Sequence, residues 1–303
     1  MVKRVSHINP YLVEGPNVFI SSRSTPLFNI SKMIFGSMPN DGGNLIFSKE
    51  EKDDLLKSYP QADIFIHKFL GAREFINKIE RYCLWINPDE AKDAIKILPI
   101  KHRMENVREI RITSKRKSTQ DLANYSYRFG EVRQPDTDYL LVPSTSSENR
   151  KYIPIGYVSK DVIASNAVLL IPDINKSIFA IMTSNVHNAW MRVVAGRLKS
   201  DYRYSASIVY NNFPWPELDE KQEERLKSTA EMILKAREIY SDWSYADLYN
   251  ELTMPPELRR AHQENDKAVM EAYGFNWRKM TESECVAELM KLYQDLVDKK
   301  NKK

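Results

Sequence analysis

Two prolines flank a tryptophan at Pro214-Trp215-Pro216, and the hydrophobic pattern of the chain changes there. Proline lacks a backbone N–H and restricts the residue before it, so this segment cannot continue a helix or a central strand. We expect a rigid linker. Short apolar runs separated by turn residues precede it, and apolar residues at helical spacing follow it. The sequence therefore predicts an α+β fold, with a mixed β-sheet domain over residues 1–213 and an all-helical domain over residues 214–303.

Strands are predicted where β-branched and aromatic residues are bounded by turn residues. These strands cover residues 18–20, 33–35, 45–47, 81–86, 139–142, 152–155, 167–171 and 178–181. Ser48 and Glu51 have the spacing of a capping box, which predicts a helix ending near Ser58. Further helical patterns cover residues 64–75 (helix and turn), 88–98, 101–118, 184–197, 219–240, 244–252, 255–273 and 281–299. A polar loop is predicted directly after the helix at 184–197.

The positive charge of the chain is concentrated in one segment. Residues 101–118 contain seven basic and two acidic residues, a net charge of +5, whereas the whole chain has a formal charge of +4. The remainder is close to neutral. A mild overall excess permits a nucleic-acid partner without requiring one, so the local distribution of basic residues has to decide.

The two cysteines, Cys83 and Cys285, are far apart and have no partner at metal-ligand spacing. They form neither a disulfide framework nor a zinc motif, which favours a reducing cytoplasm. No apolar run approaches the roughly 20 residues of a membrane span, and residues 1–4 lead into no apolar signal segment. We therefore expect a cytoplasmic protein with no membrane association.

No catalytic or metal site is predicted. The nine glycines include no cluster of the kind that holds a methyltransferase cofactor, and no two histidines are four residues apart. Ile8-Asn9-Pro10-Tyr11 lacks the second proline of the Asn-Pro-Pro-Tyr loop of amino-methyltransferases, so we interpret it as a proline turn.

A PD-(D/E)xK nuclease is a weaker alternative. Asp136 precedes Glu148 by twelve residues, near the spacing of two metal-binding carboxylates, but Arg150 occupies the lysine position and cannot transfer protons. Asp89, Glu90 and Lys92 also supply the residue types of this motif. They lie together at the start of one predicted helix, where the two carboxylates cannot flank a metal ion correctly. A nuclease would show metal-dependent cleavage that is lost when Asp136 is changed.

Basic residues interleave with hydroxyl and aromatic side chains in three runs of the middle region, residues 113–118, 146–152 and 196–205. Such runs suit phosphate contact, and Glu, Asn and Arg on an extended loop suit the edges of bases. Each run alone could be a solvated charged loop, whereas three together favour nucleic acid. We expect Arg116, Arg150 and Arg203 to converge on one concave face.

The chain also resembles the C-terminal part of the MmeI-like, type IIL DNA methyltransferases of restriction-modification systems. The shorter matching stretches cover residues 9–15, 81–86, 210–216 and 248–249. The longest matches, in family order, are Phe35-Gly36-Ser37-Met38-Pro39-Asn40-Asp41-Gly42-Gly43-Asn44-Leu45, Ser147-Glu148-Asn149-Arg150-Lys151-Tyr152-Ile153-Pro154-Ile155-Gly156, Ala195-Gly196-Arg197-Leu198-Lys199-Ser200-Asp201-Tyr202-Arg203-Tyr204-Ser205 and Met254-Pro255-Pro256-Glu257-Leu258-Arg259-Arg260-Ala261-His262.

The resemblance implies that residues 1–213 form a target recognition domain and that residues 214–303 form the helical end. It implies recognition of double-stranded DNA for an adenine-N6 methyltransferase whose S-adenosylmethionine binds in a methyltransferase domain of the same parent polypeptide, and not in this chain. Predicted base contacts are Arg116, Glu148 and Arg150. Predicted contacts to the DNA backbone are Arg111, Ser114, Lys115, Lys117, Lys151, Lys199, Arg203 and Tyr204.

An interaction module is the alternative from another functional class. In that hypothesis the helical end binds other subunits and the basic segment is only a solvated helix. An electrophoretic shift of duplex DNA at two salt concentrations separates the two, because only DNA binding gives a salt-sensitive shift.

Overall fold

The computed structural model describes residues 7–12, 14 and 17–301. Residues 1–4, and residues 13 and 15 of the first matching stretch, lie outside them. Its strands are β1 (Ile34–Phe35), β2 (Ile46–Ser48), β3 (Ile66–Leu70), β4 (Arg81–Leu84), β5 (Tyr139–Pro143), β6 (Thr145–Ser146), β7 (Gly156–Val158), β8 (Ile163–Ala164), β9 (Val168–Pro172), β10 (Gly196–Leu198) and β11 (Asp201–Arg203).

Its α-helices are α1 (Lys49–Ser58), α2 (Ala72–Asn77), α3 (Ala91–Ala94), α4 (Leu98–Ile112), α5 (Lys117–Asp121), α6 (Lys176–Met182), α7 (Asn185–Val194), α8 (Glu220–Glu238), α9 (Tyr245–Leu248), α10 (Pro256–Ala272) and α11 (Glu282–Asn301). Short 3₁₀ turns cover Pro60–Phe65 and Leu122–Tyr125, and a π-helical turn covers Ala206–Tyr210. The predicted α+β class is confirmed. None of the helices in the described part of the chain is both long and apolar enough to span a bilayer.

The chain divides into two compact units. The helical unit comprises residues up to 33, residues 140–156 and residues from 171 onwards. The inserted unit comprises residues 34–139 and 157–170. The chain changes unit before β1 and within β5, β7 and β9, which belong to one four-stranded sheet of order β1-β9-β5-β7. The change of sequence character at residue 213 lies inside the helical unit.

The inserted unit is built around a sheet of order β2-β4-β3-β8. The β2-β4 and β4-β3 pairs are antiparallel and the β3-β8 pair is parallel. Leu45, Cys83 and Ile100 are fully buried in its core, and Phe129 contacts Phe69 and Trp85 edge-on with centroid distances of 5.8 and 5.2 Å. The capping box predicted at Ser48 is present and begins α1.

Arg111, near the end of α4, is fully buried in the inserted unit. A guanidinium is tolerated away from water only when its N–H groups have partners. All five of its hydrogen bonds, 2.8–3.1 Å long, go to main-chain carbonyls of Pro39, Asn40, Leu122, Tyr125 and Arg128. Arg111 therefore fixes the end of α4 against two loops.

The helical unit has a core of helices and aromatic side chains. α8 packs on α6 and α10, and α7 packs on α11. The fully buried Trp190 of α7 donates from its indole nitrogen to the Val209 carbonyl at 3.1 Å and lies near Phe213 and Tyr293.

The rigid linker predicted at residues 214–216 is not a linker. Phe213 and Trp215 are buried, and their rings meet edge-on at 5.1 Å. Asn212, also buried, donates to the carbonyls of Ser21, Ser207 and Ile208. The prolines do interrupt regular structure, as predicted, but apolar burial anchors the segment within the helical unit.

Several of the local predictions are wrong, including the helix over residues 101–118, since α4 ends at Ile112 and a turn follows it. Residues 178–181 lie in helix α6, because Asn175 caps its start by accepting from the Ile178 amide. Residues 18–20 and 152–155 form no regular strand, and residues 66–70 form the central strand β3 where a helix and turn were predicted. Short apolar runs cannot distinguish a buried helix from a strand, so tertiary partners decided each outcome.

Arg111→Met should destabilise the inserted unit by about 3 kcal/mol or more, because it retains the apolar stem but removes five hydrogen bonds, three of them to the Asn40, Leu122 and Arg128 carbonyls. Urea unfolding followed by circular dichroism measures the loss. Arg108→Met, an exposed position on the same helix, is the matched control. Equal midpoints for the two variants would contradict the anchoring role.

Candidate nucleic-acid interface

A three-stranded antiparallel sheet carries several of the predicted contact residues of the helical unit. β10 and β11 form a hairpin, and β11 pairs with β6 through Tyr202 opposite Ser146 and Arg203 opposite Thr145. Lys199 occupies the hairpin turn with φ of 56°, the left-handed conformation that tight turns favour. Tyr202 is buried, while Lys199 and Arg203 are exposed. The pairing therefore joins the hairpin to the chain that leads into residues 147–151.

Residues 147–151, which we call the recognition loop, are fixed in a turn by Ser147. Its carbonyl accepts from the Arg150 amide at 3.2 Å, and its hydroxyl accepts from the Asn149 amide at 3.3 Å. Glu148 forms an ion pair with Arg197 of the hairpin at 3.6 Å. The Arg197 guanidinium also stacks over the Tyr202 ring at 3.8 Å. The hairpin thus positions the carboxylate of the recognition loop.

Arg150 projects from a partly buried site. Burial lowers its pKa, and the neighbouring Asp201 carboxylate acts in the opposite direction. A guanidinium remains protonated despite such a shift, so Arg150 offers a positive donor group at a partly buried position. That is the kind of donor that bidentate contact with guanine needs.

The chain directly after the recognition loop is held by side chains of three helices, α7, α8 and α10. Tyr152 donates its hydroxyl to Asp266 at 2.6 Å, and the Lys151 carbonyl accepts from Arg192 at 3.1 Å. Two further bonds run from the Ile153 amide to Asn188 at 3.0 Å and from Arg237 to the Ile155 carbonyl at 2.8 Å. The Tyr152 ring stacks on His262 with a centroid distance of 4.2 Å.

Two of these anchoring side chains are themselves fixed. Arg192 forms a two-pronged contact with Glu282 of α11, at 2.7 and 2.9 Å. The second oxygen of Asp266 accepts from the Asn185 amide at 2.7 Å. Burial raises the pKa of Asp266 to about 6, although the bonds from Tyr152 and Asn185 act in the opposite direction. The helices thus define the position of the recognition loop.

A second group of predicted contacts lies between α4 and α5 of the inserted unit. Lys115, Arg116 and Lys117 are exposed, and Arg116 begins α5. The Ser114 hydroxyl accepts from the Arg116 amide at 3.2 Å, which closes the turn. Lys117 pairs with Asp121 of the same helix at 3.2 Å. Arg116 and Lys115 therefore remain on a constrained, solvent-facing turn.

Two predicted backbone contacts are wrong because their side chains are buried. The guanidinium of Arg111 is fully occupied by carbonyls and cannot reach a phosphate. Tyr204 is 3% exposed, and its hydroxyl bonds His187 at 2.9 Å. Both residues stabilise the surfaces that carry the exposed cations.

Comparison with known families matches this chain over nearly its whole length. The model for the MmeI target recognition domain matches residues 14–217, and the model for the MmeI C-terminal domain matches residues 218–300. The chain belongs to the MmeI family. The recognition loop and the hairpin lie within the target recognition match, whereas Asp266 and Glu282 lie within the C-terminal match.

Two longer relatives of this MmeI-family chain agree. It is 42% identical to DNA methyltransferase A of Bacillus subtilis (strain 168) over 301 residues, which cover 98% of this chain and 34% of that protein. It is 43% identical to a solved structure of the type IIL restriction-modification enzyme MmeI in complex with DNA, with a TM-score of 0.92, covering 97% of this chain and 39% of that one. The chain thus spans little more than a third of either relative.

The proline turn is confirmed, whereas the remaining predicted DNA contacts are not tested by the structure. The turn predicted at Asn9 is present, since its carbonyl accepts from the Leu12 amide at 2.9 Å. Among the described residues, no three His, Cys, Asp or Glu side chains group as metal ligands. The convergence of Arg116, Arg150 and Arg203 stays a prediction, as do the base contacts of Arg116, Glu148 and Arg150 and the remaining contacts to the DNA backbone.

Sequence reasoning missed the residues that hold the recognition loop. Arg192 and Asp266 lie in helices whose apolar pattern gives no sign of a polar contact with residues 151 and 152. The hairpin was interpreted as a polar loop. Its signal was present, because Tyr202 and Tyr204 alternate with exposed Arg203 around the Lys199-Ser200 turn.

Asp266→Asn should change the pH dependence of stability. Because the folded-state pKa is raised from 3.8 to about 6, the wild-type protein loses about 2 kcal/mol from this group as pH rises from 4 to 7. The variant cannot ionise there, so it should gain that amount relative to wild type over the same range. Urea unfolding at both pH values measures the difference, in which other titrating groups cancel.

Asp295→Asn, on the exposed face of α11, is the control for the change of charge. A constant free-energy difference between Asp266→Asn and wild type from pH 4 to pH 7 would contradict the raised pKa of Asp266.

Proposed function

We propose that this chain recognises a specific sequence of double-stranded DNA for a restriction-modification methyltransferase. The observation that carries the proposal is the recognition loop, within the match to the MmeI target recognition domain: the hairpin holds Glu148, and three helices hold the chain directly after Arg150. Base discrimination needs acceptors and donors fixed in space, because a mobile side chain adapts to any base.

In this proposal the exposed cations bind phosphates. Lys151 lies in the recognition loop and Lys199 and Arg203 lie in the hairpin, while Lys115 and Lys117 accompany Arg116 and Ser114 on the α4–α5 turn. Cations at phosphates release counterions and give affinity that is independent of sequence but sensitive to salt. Glu148, Arg150 and Arg116 add contacts to base edges, each contributing about 1–3 kcal/mol of discrimination.

We further propose that the methylated group is the N6 amine of adenine and that methyl transfer occurs outside this chain. Both matched relatives are more than twice its length, and one is described as a DNA methyltransferase. S-adenosylmethionine would bind to a methyltransferase domain of the same parent polypeptide, which rotates the adenine out of the stack. This chain then determines which adenine is presented.

The decisive experiment measures binding of the chain to a pool of duplexes of random sequence by fluorescence anisotropy at 50 and 200 mM salt. Wild type should bind with a steep salt dependence, and sequencing of the bound fraction should recover a preferred site. Lys151→Ala should reduce the salt slope by about 1 and leave that site unchanged. Arg150→Ala should relax the preference at one position, since it removes a base contact.

Lys221→Ala, which removes an exposed cation of α8 distant in sequence from both predicted groups, is the matched control and should leave binding unchanged. Absence of salt-sensitive binding by wild type would overturn DNA recognition and favour the interaction module. Binding with unchanged sequence preference in both Arg150→Ala and Arg116→Ala would retain DNA binding but refute the assignment of the base contacts.

A further inference from the structure

A polar cleft of about 950 Å³ lies beside the recognition loop in the helical unit. All five loop residues, 147–151, line it, and Arg192 and Glu282 contribute the ion pair described above. The rest of the lining includes residues 250–252, which follow α9 in the part of the chain that matches the C-terminal domain. The cleft is thus shared between the two matched domains.

The segment that follows α9 is a fixed turn. Tyr249, just before it, is buried and bonds Arg237 at 2.8 Å and His262 at 2.9 Å. Asn250 accepts from the Leu252 amide at 2.9 Å, and the Glu251 carbonyl accepts from Arg259 at 2.8 Å. These bonds hold the backbone of the turn at the edge of the cleft.

Leu252 is 94% exposed, the most exposed large hydrophobic residue in the described part of the chain. An exposed leucine on its own is unremarkable. Here, however, it stands on a constrained turn at a polar cleft, where a charged side chain would serve solubility better. Its position is suited to apolar contact with a partner that enters the cleft.

The charges in the cleft identify the class of partner. Glu148 and Glu282 are neutralised by Arg197 and Arg192. Arg150 and Lys151 then outnumber Glu251, so the lining together with its ion partner Arg197 has a net charge of +1, with amides interspersed. This mixture suits the groove edge of a duplex, where base edges, sugars and a few phosphates meet, better than a chain of phosphates alone.

We propose that the cleft receives the duplex and that the turn at residues 250–252 is a second DNA-contacting element, supplied by the C-terminal domain. Leu252 contacts a sugar or a thymine methyl group, and the Asn250 amide nitrogen donates to the adjacent base edge or phosphate. This inference rests on the proposed function, because it requires that the recognition loop binds DNA.

Site-directed cross-linking tests the contact. Cys83 and Cys285 are buried, and burial raises the pKa of both thiols, so a cysteine placed on the surface can be modified selectively. Leu252→Cys is labelled with a thiol-directed photo-cross-linker and irradiated with the duplex pool. Ile239→Cys, at an exposed apolar residue that does not line the cleft, is the matched control.

We expect a covalent protein–DNA adduct from Leu252→Cys and little from Ile239→Cys. Leu252→Glu should also weaken binding roughly tenfold, since a carboxylate beside DNA opposes one phosphate contact, while Ile239→Glu should have little effect. Circular dichroism verifies that the variants are folded, and the change at an exposed side chain leaves the turn bonds in place.

The two proposals fail in different ways. If wild type binds the pool and Arg150→Ala alters its preference, but Leu252→Cys gives no adduct and Leu252→Glu binds as wild type does, the second element is refuted and DNA recognition stands. If wild type does not bind the duplex pool at either salt concentration, both proposals fall.

Discussion

The hydrogen bond from Tyr152 to Asp266, with the bonds around it, is the constraint on which the candidate site depends. It joins residues 114 positions apart and holds the end of the recognition loop against helix α10. Burial of a carboxyl group is costly unless its oxygens have partners, and here both oxygens have one. The same bond therefore satisfies a buried acceptor and fixes the chain from which Glu148 and Arg150 project.

This arrangement explains why the compact units and the matched domains have different boundaries. The C-terminal match begins at residue 218, yet helices α8, α10 and α11 belong to the same unit as the recognition loop. Both Arg237 and Glu282 lie in that match. Arg237 bonds the Ile155 carbonyl just after the loop, and Glu282 holds Arg192, which bonds the Lys151 carbonyl. A helical segment that only extended the chain would have no such role, so the C-terminal domain is the support of the recognition surface.

Local signals in the sequence correctly predicted the elements that depend on residues close by in the sequence. The capping box at Ser48 and the long helices followed from spacing and capping, because both involve contacts within a few residues. The apolar run at 178–181 could not be resolved in this way, since Asn175 and tertiary burial made it a helix. Arg111 was predicted on the surface because basic residues normally lie there, whereas five carbonyls from distant loops bury it.

In the candidate site, too, the exposed residues could be predicted from the sequence and the residues that hold them could not. Exposed loop residues such as Glu148 and Lys199 could be selected from composition, because their side chains need no partner to remain at the surface. Arg192 and Asp266 could not, because their role depends on which helices meet behind the loop. The exposed residues can therefore change without loss of the bonds that hold the loop, since those bonds use the Lys151 carbonyl, the Tyr152 hydroxyl and the Ile153 amide. Because none of these bonds involves the side chains at 148 and 150, substitutions there should leave the fold undisturbed.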